Sequence, residues 1–62
     1  MSFTVIKING PLEEQFYPKL NRISDDWLTV TAVDCYYVCI YTELSDAQLT
    51  YLTMLLGGNI HA

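Results

Sequence analysis

The sequence is short of positive charge, and what it has is confined to one end. Its basic residues are Lys7, Lys19 and Arg22, and from Trp27 to Ala62 there is no Lys or Arg. Seven acidic residues set the formal net charge at −4. Binding to a phosphate backbone relies on clustered Lys and Arg that displace counterions, so direct nucleic-acid binding is not expected. Long apolar runs are missing as well. None approaches the ~20 residues of a membrane-spanning helix, the longest being broken by Thr, Asp or Gly. No basic region leads into an apolar stretch at Met1-Ser2-Phe3-Thr4, so no signal peptide is read there. These absences lead to the expectation of a soluble, cytoplasmic protein without membrane contact.

Metal-binding and reactive side chains are equally scarce. The two cysteines, Cys35 and Cys39, fall in an aromatic and β-branched run, Cys35-Tyr36-Tyr37-Val38-Cys39-Ile40-Tyr41, which favours strand. Four residues of strand rise place them ~13 Å apart, beyond the ~7 Å reach of a disulfide. Two thiols and the single histidine, His61, fall short of the four ligands of a structural zinc site. As the penultimate residue, His61 reads as a solvated tail side chain rather than a base held in place by packing. Neither a Gly-x-Ser-x-Gly elbow nor a Gly-rich phosphate loop is present, and Pro11 in Asn9-Gly10-Pro11 even deletes a donor. The neighbouring acids Glu13-Glu14 and Asp25-Asp26 diverge instead of converging as an acid/base couple. No catalytic residue, metal or cofactor is expected.

What is present is apolar surface. The chain is 52% hydrophobic over 62 residues. A domain this small buries only about 60% of the surface its unfolded chain exposes. It therefore needs a supplement, namely disulfides, a metal or oligomerisation. With the first two unsupported, self-association is expected.

The pattern predicts a single α+β domain over residues 1–62, of order β-α-β-β-α, with a three-stranded, mostly antiparallel sheet and two helices. Residues 3 to 8 read as the first strand, with Phe3 and Val5 on one side and Ile6 and Ile8 on the other. A helical segment over 11–23 starts at Pro11 and carries Leu12, Phe16, Leu20 and Ile23 as its buried stripe. Pro18 kinks or breaks it. Trp27–Val33 and Cys35–Thr42 read as a hairpin around Asp34. Leu28, Val30 and Ala32 are assigned to the core with Tyr36, Val38 and Ile40. The opposite face then receives Trp27, Thr29, Thr31, Val33, Cys35, Tyr37, Cys39 and Tyr41. The last helix has the clearest start, a Ser45/Gln48 capping box flanked by Leu44 and Leu49, and it stops at Gly57-Gly58. Its core stripe is Leu49, Leu52, Leu55 and Leu56.

That last helix has no charged residue between Ala47 and Gly58, whereas a surface helix normally turns charge away from the core. Together with the aromatic residues assigned to the sheet, it singles out Trp27, Tyr37, Tyr41, Tyr51 and Met54 as an expected partner or oligomer interface. Glu13, Glu14, Asp25, Asp26, Glu43 and Asp46 form a possible acidic contact surface; with Asp34 they are thin for mimicry of DNA phosphates. The expected function is a small acidic protein-binding module, an inhibitor or regulator of another protein that works without catalysis as a homodimer or larger homo-oligomer. Composition associates it with phage and mobile-element products. Two alternatives stand beside it. One is a small-molecule-binding oligomer with a boundary pocket lined by Tyr37, Tyr41 and Tyr51. The other is an enzyme completed at a subunit interface by Cys39, Tyr41 and Asp46.

Overall fold

The computed structural model describes residues 3–57 and the backbone of 59–60. His61 and Gly58 lie outside the described residues. The chain runs β1 (Thr4–Ile8), a 3-10 turn (Glu14–Phe16), α1 (Tyr17–Ile23), β2 (Trp27–Ala32), β3 (Cys35–Ile40), α2 (Asp46–Leu56) and β4 (Asn59–Ile60). The β-α-β-β-α order is as expected, and a two-residue strand is added at its end.

All pairing is antiparallel, and the strands lie in the order β2-β3-β1-β4. β1 and β2 therefore run in the same direction with β3 between them, and β3 and β4 likewise enclose β1. Two split β-α-β units share one sheet, the arrangement called ferredoxin-like. One core cluster joins Ile6 and Ile8 of β1, Val38 and Ile40 of β3, Leu20 of α1 and Leu52 of α2. Both helices thus pack on the same side of the sheet. Leu12, Ile23, Trp27, Tyr36, Leu44, Leu55 and Leu56 close around that cluster.

Helical structure begins later than Pro11 suggests. Residues 11–13 are not helical, and Glu13 is extended, with φ −80° and ψ 146°. The 3-10 turn follows, and α1 then starts at Tyr17 with Pro18 in its first turn. Pro18 has no N–H to close a bond to a preceding turn, so a continuous helix cannot cross it, whereas a first-turn position needs none. The break expected at Pro18 is present as a helix start. Ser24, buried beyond the end of α1, hydrogen-bonds the Thr42 hydroxyl and accepts the Asp26 N–H at 3.0 Å. It joins the entry to β2 to the chain leaving β3.

The hairpin corrects the facing of β2. Its turn is Val33-Asp34, so Val33 is no longer strand, and Ala32 pairs with Cys35. Register then puts Trp27 opposite Ile40, Thr29 opposite Val38 and Thr31 opposite Tyr36. Since Val38 and Ile40 are core residues, Trp27, Thr29 and Thr31 share the helix side, and Leu28, Val30 and Ala32 face away from it. Trp27 packs on the core, 5.3 Å from Tyr17 between ring centroids, and donates its indole N–H to Asn21 Oδ1 at 2.8 Å. The aliphatic pattern of β2 pointed the other way, but a turn of fixed length decides register over composition.

α2 is capped as its sequence requires. Ser45 Oγ accepts the Gln48 N–H at 3.2 Å, and Gln48 Oε1 accepts the Ser45 N–H at 2.9 Å. Gly57 ends the helix at φ 65°, its N–H bonded to Thr53 O at 3.0 Å. That left-handed conformation is why glycine stands there.

Candidate functional site

With both helices on one side, no helix among the described residues covers the other side of the sheet, and pairing fixes what it carries. One row across it is Val5, Cys39 and Leu28, and the next is Lys7, Tyr37 and Val30. Ala32 and Cys35 close the hairpin end. At the opposite end Phe3 stacks on Tyr41. Leu28 is 44%, Val30 40% and Phe3 62% exposed, so these are large apolar side chains in solvent. Cys39 is buried yet stands outside the core cluster; Val5 and Leu28 flank it across the strands. Lys7 is the one charged residue of β1, β2 and β3.

This face also holds a side chain with a shifted titration. The hydrogen bond that the Tyr37 phenol donates to Cys35, two residues away on the same strand face, holds it above its ordinary value of 10.0, with desolvation and the charge of the Cys35 thiolate acting in the same direction. The fold does bring a cation near the thiols, because Lys7 stands opposite Tyr37 and so lies diagonal to both cysteines, at the ~7–8 Å typical of such pairs.

In the helix layer, α2 turns Ala47, Thr50, Tyr51 and Met54 outward, Met54 being 79% exposed. Leu52 alone is fully buried, Leu55 and Leu56 pack on the core, and Leu49 lines a shallow surface groove of about 410 Å³ with Asp46, Thr50, Thr53 and Met54. The uncharged side of the helix is therefore open surface.

The expected interface residues consequently divide into three sets. Tyr37 and Tyr41 belong to the uncovered sheet face, Tyr51 and Met54 to the helix layer, and Trp27 to the margin of the core. Within one chain Tyr51 does not share a surface with Tyr37 and Tyr41. Leu28, Val30, Val5 and Phe3 join the sheet face unforeseen. The signal that would have found them is the two-residue hairpin turn, which links the facing of β2 to that of β3.

The seven carboxylates are all exposed and divide between the ends of the sheet. Asp25, Asp26, Glu43 and Asp46 lie where β2 begins and β3 ends; Glu13, Glu14 and Asp34 lie where β1 ends and the hairpin turns. Among the described residues, no three His, Cys, Asp or Glu side chains gather as metal ligands, and no helix is long and apolar enough to cross a membrane. The chain matches no protein-family model, no curated protein and no solved structure, and a fold of this kind serves many unrelated functions.

Proposed function

We propose that the protein is a non-catalytic protein-binding module, an inhibitor or regulator of another protein, that works as a homodimer joined through its uncovered sheet faces. The observation carrying this reading is the row structure of that face. Phe3, Val5, Leu28, Val30, Tyr37 and Tyr41 occupy a surface with one charged residue, Lys7, whose long stem lets its amine reach the rim. Two such sheets pack face to face about 10 Å apart.

The size of the core supports the same conclusion. Six side chains form it, and a domain this small is marginal without a supplement. Both cysteines are free, which leaves association as that supplement and fits the reducing cytoplasm. Light scattering behind size exclusion tests the proposal. A mass of twice 7.1 kDa is expected across the micromolar range, and a monomer throughout would overturn the dimer.

A further inference from the structure

β2 is an edge of the sheet and carries none of the devices that keep an edge from pairing. The strand order leaves it bonded on one side only, to β3. Natural edges are very short, bulged, charged or proline-bearing. β2 has six residues, Trp-Leu-Thr-Val-Thr-Ala, without charge, proline or glycine. The other edge, β4, has two.

Register shows which main-chain groups are open. Ala32 and Cys35 close a two-residue turn, which makes them a hydrogen-bonded pair. Bonded pairs alternate, so Leu28, Val30 and Ala32 direct their N–H and C=O groups to β3, while Trp27, Thr29 and Thr31 direct theirs outward. The Tyr41 N–H, bonded to Asp26 O at 2.8 Å, keeps the same parity at the far end. Among the described residues, no loop or side chain bonds the outward groups of Thr29 and Thr31.

We infer that this edge accepts an extended segment of another protein as a further strand, one with small polar and apolar residues alternating over about five positions and a Lys or Arg beyond each end. Main-chain bonds supply affinity in such sheet extension, and alternate side chains supply specificity. Charge defines the ends of the segment. Asp25 and Asp26 stand just before β2 and Asp34 just after it, all exposed, and no Lys or Arg follows Arg22. From Asp26 to Ala32 the extended chain covers ~20 Å, and Asp34 stands in the turn just past that end, so a strand of that length with a basic residue beyond each end brings positive charge near both acidic groups.

The same acids disfavour a second copy on this edge. Antiparallel self-pairing about Val30 would bring Asp25 and Asp26 of each copy toward the other copy's hairpin turn, where Asp34 stands, and like charges brought close repel. The inference deepens the protein-binding reading and rests on it, but not on the face-to-face dimer, which leaves the β2 edge open.

Two synthetic peptides test it against the full chain at low salt: Lys-Lys-Thr-Val-Thr-Val-Thr-Lys-Lys and its counterpart with Glu in place of each Lys. The Lys peptide is expected to bind about tenfold tighter or more, an advantage that shrinks as salt is added. It should slow amide exchange at Trp27, Thr29 and Thr31 and leave β1 unchanged. Thr31→Pro removes an outward N–H without touching a β2–β3 bond and should weaken that peptide about tenfold. Asp34→Asn, at an exposed turn position, should weaken it severalfold. The inference is overturned by equal binding of the two peptides, by binding of neither, or by protection elsewhere in the chain. Concentration-dependent protection of Thr29 and Thr31 without peptide would give the edge to a second copy instead. A monomer that still binds the Lys peptide removes only the dimer; a dimer that binds neither peptide removes only the strand site.

Discussion

Phe3 stacks on Tyr41 with ring centroids 5.9 Å apart and planes inclined by 30°. The contact joins the start of the chain to the end of β3 and closes one end of the uncovered sheet face with two aromatic rings. Offset ring pairs of this kind contribute about 0.5–1.5 kcal/mol beyond the area they bury. The pair extends the face past the strands themselves.

If two copies cover that face, stability depends on protein concentration, because a partner that binds the folded chain alone shifts unfolding by mass action. The melting temperature of the wild type, read by circular dichroism, is expected to rise with protein concentration. Leu28→Glu places a charge in the central row and should abolish that dependence and the dimer together. Leu28 is outside the core cluster, so the variant keeps its secondary structure. A wild-type melting temperature that is flat with concentration would exclude the dimer.

Val33 stands at φ 49° in the hairpin turn and is 91% exposed. A β-branched residue in the left-handed region is strained, and so exposed a side chain has no packing to offset the strain. Asn tolerates that region and is favoured in tight hairpins. Val33→Asn is therefore expected to stabilise by about 1 kcal/mol. In a domain of this size that raises the melting temperature by roughly 4–8 °C. Calorimetry checks it, and a lower melting temperature would show that Val33 has a contact that holds it there.

This residue also marks where the sequence stopped being legible. α2 could be read to the residue, because its capping box, its leucines and Gly57 act within a few positions of one another. The facing of β3 followed from Val38 and Ile40. β2 was inverted, since Leu28, Val30 and Ala32 look like a core stripe in isolation. What sets them outward is a non-local constraint: a two-residue turn, with valine where Asn or Gly is usual, ties their parity to β3. Pro11 misled for a related reason, because a proline that can start a helix can equally end an extended segment. The interaction surface was legible as an excess of apolar residues, but its membership was not, since it depends on which side of the sheet the helices take.

Neighbouring positions on α2 should respond very differently to truncation. Leu52 is fully buried in the core cluster, and Leu52→Ala is expected to cost about 2–5 kcal/mol from lost burial and the cavity left behind. Against the few kcal/mol available to so small a domain, that leaves much of the chain unfolded, with a urea midpoint near zero. Met54→Ala should change stability by no more than about 0.5 kcal/mol, as exposed positions do. It also separates the two apolar surfaces. If Met54→Ala lowers the dimer's mass while Leu28→Glu does not, the interface is on α2 and not on the sheet.

Tyr37 makes the uncovered face observable by titration. Its phenol is held in the protonated form first by the Cys35 hydrogen bond. Desolvation and the negative charge of Cys35 act in the same direction. The folded-state value is raised, so the neutral phenol's stabilisation is fully present below the ordinary value of 10.0 and is lost as pH rises through the higher folded value. Ultraviolet absorbance of phenolate should show one of the five tyrosines titrating late, and Tyr37→Phe should remove that component. Cys35→Ala removes the cause and should bring the late component down toward the others. A late component unchanged in Cys35→Ala would mean that another neighbour, not the thiol, holds the proton on Tyr37.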